Sequence, residues 1–335
     1  MSLLNQYWDM VITGVKELAE NIDLESVAKL VNAIGALPRR GVHQRALDAY
    51  IKSIENSDDT PDEKYIKISR AKKHCKELDN QAAIGEIALQ AAKEGTDFSQ
   101  TSKVGEEWLS RYMDAAKFVY NEKTQLLWGN ILAGEFESPG SAPPSIIRIL
   151  SELTQKYAEH FSTLCSLQLW IFYDDGKNIT AAAEQPFIDL TRRSTYLKTL
   201  GLSFSVLQEI ERLGLINLSV GTELVNCSDN KKYPKIHLVS GDKVLTVLEY
   251  QNNSFPIGRI TLTNAGEYIS RFVARKYNPE HMLAVKNYLE RNGAKCSEQP
   301  IIEFKKVSVE SGFMFEYTRL QTQQQTQAPT KTTET

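Results

Sequence analysis

Basic side chains in the second half of the chain have the type and spacing to contact phosphates. They are Lys231, Lys232, Lys235 and Lys243 around a predicted hairpin, and Arg192 and Arg193 ahead of a predicted helix. Lysine and arginine bind the nucleic-acid backbone electrostatically, without reading its bases. The helix that would enter the major groove, from Ser203 to Leu213, carries Glu209 and Glu211, whereas such helices usually present basic and amide side chains. Backbone contact through a lysine-rich wing is therefore one prediction, and a protein-contact surface is the other.

The nearest match to a catalytic motif is Glu303-Phe304-Lys305, an acidic residue and a lysine on one predicted strand, as in metal-dependent nucleases. A nuclease site also needs an upstream aspartate for its metal ion, and the chain has none between Asp242 and Glu303. We therefore favour the alternative explanation, which is a pair of charges at a strand edge.

Other sequence motifs for catalysis, metal binding or cofactor binding are missing. The five histidines are scattered and the four cysteines include no Cys-x-x-Cys pair, so we expect free thiols and no zinc site. The chain has neither a phosphate-binding glycine loop nor a G-x-S-x-G elbow. The stretch from Asp174 to Asn178, with its two aspartates, is predicted to be a turn. The sequence thus predicts no catalytic, cofactor-binding or metal-binding residue, and a protein that is not an enzyme.

Helices are predicted for most of the first half, because apolar residues recur every three or four positions. One runs from about Val42 to Glu55, and a longer one runs from Pro61 towards Lys93 behind a cap at Thr60. Further amphipathic helices are predicted around Trp108 and Trp128 and after Thr154.

The second half changes character after the helix at 203 to 213. Two alternating segments, Lys235 to Val239 and Lys243 to Tyr250, are separated by Ser240-Gly241-Asp242 at hairpin spacing. A short strand from Arg259 to Leu262 and a helix behind it complete the order of a winged helix-turn-helix. Beyond Pro279 we expect one more helix, and a strand at 301 to 309 that pairs with 313 to 317.

The predicted fold class is mainly α, with a helical bundle region, a winged helix-turn-helix-like module and a small α/β appendage at the carboxyl end. The predicted segments are 1–98 (helical region), 102–153 (helical hairpin), 154–276 (winged-helix-like module), 279–317 (α/β appendage) and 318–335 (disordered tail). The tail is mostly glutamine and threonine, so burial could not offset the entropy lost by ordering it.

Composition and charge are those of a globular protein with more than one domain. The chain has 335 residues, 41% of them hydrophobic, and a formal net charge of -3, so no global basic character points to nucleic acid. No apolar run approaches the roughly 20 residues of a membrane-spanning helix. The amino terminus lacks the basic and small-residue features of a secretory signal. We therefore expect a cytoplasmic protein that does not enter the membrane.

The most distinctive segment is QLLWGNILAGE, at 125 to 135, followed by the turn Ser138-Pro139-Gly140-Ser141. We interpret it as a packing motif, because a tryptophan offers a large apolar surface and small residues let a neighbouring helix come close. Its structural residues are Trp128, Gly129, Ala133, Gly134, Pro139 and Gly140.

This segment, together with 149 to 154, resembles the signature of the bacterial family called domain of unknown function 2806. The likeness covers roughly residues 100 to 275. The chain is similar, more loosely, to the Abi-alpha family associated with abortive phage infection. The first family favours a polar residue and an arginine soon after the proline-glycine turn, where this chain has Pro143 and Ser145. The resemblance implies relatives and a fold, and it assigns no activity.

Taken together, these patterns predict a non-catalytic regulatory or interaction protein. The likeness to the Abi-alpha family implies a link to bacterial stress or phage defence. The expected partner is an unidentified protein or a second copy of the chain. The alternative is a winged-helix protein that binds nucleic acid, and no cofactor is expected.

Overall fold

The structure, a computed structural model, describes most of the chain between residues 24 and 319. The described residues are 24–34, 41–93, 97–186, 196–218, 223–226, 235–241, 243–250, 254–258, 260–273, 275–297, 302–309 and 312–319. The chain divides into two compact units. The first comprises Met1–Ala158, Leu213–Leu215 and Thr263–Val273, and the second comprises Glu159–Arg212, Ile216–Leu262 and Ala274–Thr335.

Helices dominate the first unit and accompany strands in the second. Within the described residues the helices are α1 Leu24–Ile34, α2 Val42–Glu55, α3 Pro61–Lys93, α4 Glu106–Ala116, α5 Glu122–Glu137, α6 Ile146–Glu152, α7 Gln155–Cys165, α8 Tyr196–Thr199, α9 Phe204–Arg212, α10 Asn264–Ser270 and α11 Pro279–Arg291. The strands are β1 Gln168–Asp174, β2 Ile179–Pro186, β3 Ile216–Asn217, β4 Glu223–Asn226, β5 Lys235–Ser240, β6 Lys243–Tyr250, β7 Ser254–Gly258, β8 Thr261–Leu262, β9 Ala294–Ser297, β10 Ile302–Val309 and β11 Gly312–Arg319.

The long helix α3 begins where the sequence predicts, because local side chains satisfy its first backbone groups. The Glu63 carboxylate accepts a hydrogen bond from the Thr60 backbone N–H at 2.9 Å, and the Thr60 hydroxyl accepts one from the Glu63 N–H at 3.4 Å. This reciprocal pair is a capping box, and Pro61 occupies the first helical position, where its missing N–H costs nothing. The helix α5 starts in a similar way, with the Asn121 side chain accepting from two backbone N–H groups.

The core of the first unit forms around α5, which packs against α3. Trp128, Ile131 and Phe136 of α5 are fully buried, as are Ile84 of α3 and Tyr112 of α4. Burial of these large side chains removes apolar surface from water, which is the main favourable term in folding.

The second unit contains a five-stranded antiparallel sheet in the order β2-β1-β5-β6-β9. One face of the sheet is covered by α11. Met282, Val285 and Leu289 of α11 form a cluster with the strand residues Leu169, Ile171, Ile236, Leu238, Leu245 and Val247. Because side chains alternate between the two faces of a strand, the neighbours of these strand residues point to the opposite face.

That opposite face meets the β10–β11 ribbon, an antiparallel pair in which Ile302 lies opposite Arg319. Ile302 is buried with Phe172 and Val239 of the sheet. The pairing of 301 to 309 with 313 to 317, expected from the sequence, is thereby confirmed.

The mainly helical class with antiparallel strands towards the carboxyl end is confirmed, but the winged-helix module at 154 to 276 is not. The hairpin predicted as its wing is β5 and β6, which forms at the expected place with Gly241 at positive φ. These strands lie inside the sheet, with β1 on one side and β9 on the other. All four residues from Ile236 to Val239 are buried, because both faces of the sheet are covered.

One predicted segment boundary differs from the structure. The predicted tail at 318–335 starts too early, since Thr318 and Arg319 belong to β11, and residues 320 to 335 lie outside the described residues. The other predicted boundaries stay predictions. Cys75, Cys165 and Cys296 are free thiols, as expected, and Cys227 lies outside the described residues. In the part of the chain that the structure describes, no helix has the length and apolar character to cross a membrane.

Candidate functional site

One candidate site is a cleft of about 850 Å³ in the second unit, whose walls come from β6, α11 and the β10–β11 ribbon. Its volume lies within the range of small-molecule and peptide-side-chain sites. Met282 and Ile302 line the cleft and are buried, and we call this pair its apolar base. Tyr277 and Leu283 also line the cleft but remain exposed. The cleft therefore combines a buried apolar base with accessible apolar side chains.

Charged side chains enter the cleft from all three walls. They are Lys243 of β6, Lys286 of α11, and Glu303, Lys305 and Glu316 of the ribbon. Lys305 and Glu316 lie directly opposite each other in the ribbon register, so their charges offset one another. The five groups carry one net positive charge, which favours a ligand with an anionic group.

The helix α11 presents two different faces because of its local sequence. The Asn278 side chain accepts from the His281 backbone N–H at 3.1 Å, and Pro279 fixes the first turn. Met282, Val285 and Leu289 follow helical spacing and face the sheet. Leu283 and Lys286 lie off that stripe, and both line the cleft.

A second candidate is a polar cluster on the sheet face that meets the ribbon, and three of its four side chains are buried. Asp174 accepts two hydrogen bonds from the Arg319 guanidinium, at 2.7 and 2.8 Å, and one from the Gly176 backbone N–H at 2.8 Å. His237 Nε2–H donates to the same carboxylate at 3.2 Å, and its Nδ1 accepts from the Thr246 hydroxyl at 3.0 Å. We call these four side chains, Asp174, His237, Thr246 and Arg319, the polar cluster.

The polar cluster holds a charged carboxylate inside the protein. Burial opposes ionisation of Asp174, but hydrogen bonds from Arg319, Gly176 and His237 outweigh it and hold the pKa of this carboxyl well below its usual range. Burial lowers the pKa of His237, although Asp174 opposes that effect. Thr246, His237 and Asp174 are hydrogen-bonded in a row, as the serine, histidine and aspartate of a catalytic triad are. All three side chains are buried, so a substrate could not reach the hydroxyl.

His281, at the start of α11, is a buried imidazole with a different environment. Its Nε2–H donates to the Leu167 carbonyl at 3.1 Å, and its ring stacks on Tyr196 at 5.8 Å between centroids. Burial lowers the pKa of His281 to about 4. The folded second unit therefore favours the neutral form of the His281 imidazole.

The free energy of unfolding should fall on acidification below pH 6.5. A histidine whose pKa is lower in the folded state binds fewer protons there than in the unfolded chain, so its contribution is complete above 6.5 and is lost as the pH falls towards 4. For His281 the loss is roughly 3 kcal/mol. Urea unfolding at several pH values would measure it. The His281→Gln variant, which removes this titration, should show a flatter pH dependence, and parallel curves for the two proteins would contradict the prediction.

The predicted packing motif lies in the first unit and is built as the sequence suggests. Tyr112 Oη donates to the Trp128 carbonyl at 2.6 Å, and the two rings lie 4.9 Å apart. A Cβ atom at Gly129 would lie 2.5 Å from Ile87 Cβ and 3.1 Å from the Ile84 carbonyl oxygen of α3. Ala133 is buried, and Gly134 lies against the ring of Phe272. The small residues therefore do let neighbouring groups come close.

Pro139 and Gly140 form the turn after α5, and the buried carboxylate of Glu135 organises it. Glu135 accepts hydrogen bonds from the backbone N–H groups of Gly140, at 2.5 Å, and Ala142, at 2.9 Å. The turn borders a shallower cavity of about 530 Å³ that Trp108 and Lys103 also line. Glu135 therefore stabilises the turn that follows α5.

Replacing Gly129 with alanine should destabilise the first unit by about 1 to 3 kcal/mol, because the Ile87 side chain and the α3 backbone would have to move. Gly105→Ala is the matched control, since a Cβ there would meet only Trp108 Cβ at 3.9 Å. Chemical unfolding of both variants gives the comparison. Equal stabilities would show that α3 and α5 do not pack as closely as described.

The residues predicted to contact nucleic acid are only partly described. Lys243 lines the cleft together with Lys286 and Lys305, which the sequence did not connect with it. Lys235 begins the central strand β5, opposite Asp174 in the register. Arg192, Arg193, Lys231 and Lys232 lie outside the described residues.

The motif Glu303-Phe304-Lys305 lies on β10, as predicted, and both of its charged side chains line the cleft. No group of three or more histidine, cysteine, aspartate or glutamate side chains within the described residues could hold a metal ion. Within the described residues, the Glu303-Phe304-Lys305 motif therefore has no group of metal-binding side chains beside it.

Sequence reasoning missed most residues of both sites. The sequence pattern predicts a disordered tail at Arg319 and a turn at Asp174. One signal was present in each case: His237 interrupts an apolar strand and so needs buried partners, and Leu283 is an apolar residue off the buried stripe of its helix.

The fold and its sites define a mainly helical protein with an antiparallel sheet and a cleft beside it. The chain belongs to the family described as protein of unknown function (DUF2806), which matches residues 68–286, more than half of its length. The resemblance noted from the tryptophan and proline-glycine segment is confirmed, whereas the looser similarity to the Abi-alpha family finds no support. Comparison with curated proteins and with solved structures returns no match.

Proposed function

We propose that this protein is a non-catalytic interaction protein that binds a segment of a protein partner in the cleft of the second unit. The main observation in support is that Leu283, which is 54% exposed, lines a cleft whose base is apolar. Accessible apolar side chains grouped in a concavity mark interaction sites. Tyr277 lines the same cleft and adds the amphipathic ring that is enriched at interfaces.

Charge defines the partner further. The lysines from three walls outnumber the two glutamates, so the bound segment should carry an apolar side chain next to a carboxylate. Burial of the threonine, histidine and aspartate of the polar cluster supports a role other than catalysis. The link to bacterial stress or phage defence stays a prediction.

Partner capture from native cells tests this proposal. The wild-type chain should retain a protein that Leu283→Glu loses, because a charge would be placed over the apolar base. Leu126→Glu is the matched control, since Leu126 is 52% exposed and belongs to the first unit. Retention of the partner by Leu283→Glu, or its loss from both variants, would argue against binding at the cleft. Light scattering of the same proteins detects a second copy of the chain as the occupant instead.

The alternative function is contact with a nucleic-acid backbone. It is supported by Lys243, Lys286 and Lys305, which share the cleft, and is opposed by the glutamates beside them. Binding of duplex DNA at low salt that weakens in Lys243→Gln would favour it. Failure to bind DNA at low salt would exclude this surface.

A further inference from the structure

The β10–β11 ribbon has two faces with different partners. Glu303 and Lys305 of β10 lie opposite Thr318 and Glu316 of β11, and all four side chains line the cleft. The register places Arg319 one residue further along β11, so its side chain points to the other face. One face of the ribbon is thus a wall of the cleft, and the other meets the sheet.

Two anchors hold the open end of the ribbon. Ile302 is packed against Phe172 and Val239, an apolar contact without directional preference. Arg319 supplies the directional anchor, because its planar guanidinium makes two parallel hydrogen bonds to Asp174. Such a fork fixes orientation as well as distance.

The anchoring carboxylate is itself held rigidly. Asp174 ends the strand β1, and its side chain also receives bonds from the Gly176 N–H and from His237 of β5. Its position is therefore set by two central strands of the sheet, and Arg319 transmits that position to the ribbon.

We propose that Arg319 and Asp174 are a positioning pair that fixes the β10–β11 ribbon, and so sets one wall of the cleft although neither residue lines it. The proposed function enters this inference at one point only, which is the identity of the molecule that the cleft binds. The ribbon geometry that it predicts can be measured without any ligand.

Hydrogen exchange on the full chain tests the positioning. In Arg319→Gln the amides of β10 and β11 should exchange about tenfold faster, or more, because the directional anchor is lost. Lys295→Gln is the control, since it removes an exposed ion pair with Glu249 in the same sheet. In the control, exchange in the ribbon should stay at the wild-type rate.

A second readout separates positioning from general loosening. The Arg319 charge helps to keep the pKa of His237 low, after the larger effect of burial. If the pair forms as described, removing that charge should raise the pKa of His237, seen as a shifted titration of its ring proton by NMR. Lys295→Gln should leave the titration unchanged. Should Arg319→Gln not fold, Arg319→Lys is compared in its place. It keeps the charge but loses the two-bond fork, so ribbon exchange should quicken to a smaller extent while the His237 titration stays close to that of the wild type. Unchanged ribbon exchange in that variant would then overturn the positioning pair by itself.

The outcomes distinguish this inference from the proposed function. Unchanged ribbon exchange and an unchanged His237 titration in the Arg319 variant would overturn the positioning pair, whatever the cleft binds. If ribbon exchange quickens while partner capture survives in Leu283→Glu, the pair stands and the proposed function falls. If both proposals hold, Arg319→Gln should also capture less partner with every cleft residue intact.

Discussion

Truncation of Arg319 to alanine should lower the free energy of unfolding of the second unit by about 3 to 5 kcal/mol, because it leaves a buried carboxylate without its cation. Asp174 is 1% exposed, whereas the Arg319 side chain is 40% exposed and can be solvated when alone. The two partners are therefore unequal. Adding Asp174→Ala to Arg319→Ala should recover part of the loss, since no buried charge would then remain.

A double-mutant cycle measures this asymmetry, with hydrogen exchange of the β1 and β5 amides reporting on the sheet. Asp175→Asn is the control. Asp175 is exposed, and its Oδ1 accepts from the backbone N–H groups of Lys177 and Asn178, which an asparagine can also do. A double variant less stable than Arg319→Ala alone would contradict the explanation by buried charge.

Truncation of Trp128 to alanine should cost the first unit about 3 to 5 kcal/mol, through lost burial and the cavity left behind. Trp128 is fully buried, and its ring lies 4.9 Å from that of Tyr112 in α4. Urea unfolding gives the value. Leu126→Ala, on the same helix but exposed, should change stability by less than about 0.5 kcal/mol.

Trp128→Phe refines the same prediction. Among the described residues nothing accepts a hydrogen bond from the buried Trp128 Nε1–H, so phenylalanine would remove an unsatisfied donor together with part of the ring. We expect this variant to lose clearly less stability than Trp128→Ala. An equal loss would contradict the prediction, because phenylalanine keeps much of the apolar ring surface and removes a donor that has no acceptor among the described residues.

Local sequence predicted the elements well because their signals lie within a few residues of each other. The capping-box residues Thr60 and Glu63 lie three positions apart, and the hairpin at Gly241 joins adjacent strands. The tryptophan motif was also recognisable, since large and small apolar residues at helical spacing indicate packing in any fold.

The same local reasoning does not extend to the pairing of distant strands. The β5–β6 hairpin predicts a wing because the helices nearest to it in the sequence have the order of a winged helix-turn-helix. Its actual neighbours are β1 and β9, which pair with it across long stretches of chain. The cleft was missed for a similar reason, since Lys243, Lys286 and Lys305 come from three separate elements.

The sequence by itself determined the helices, their caps, the hairpin, the packing motif and the family. Only the tertiary structure decided that Asp174 would be buried with His237 and Arg319, which lie 63 and 145 residues away along the chain. The physical reason is the range of the forces. Capping and helical periodicity act between close neighbours, whereas a buried charge is stabilised by whichever partners the completed fold brings to it.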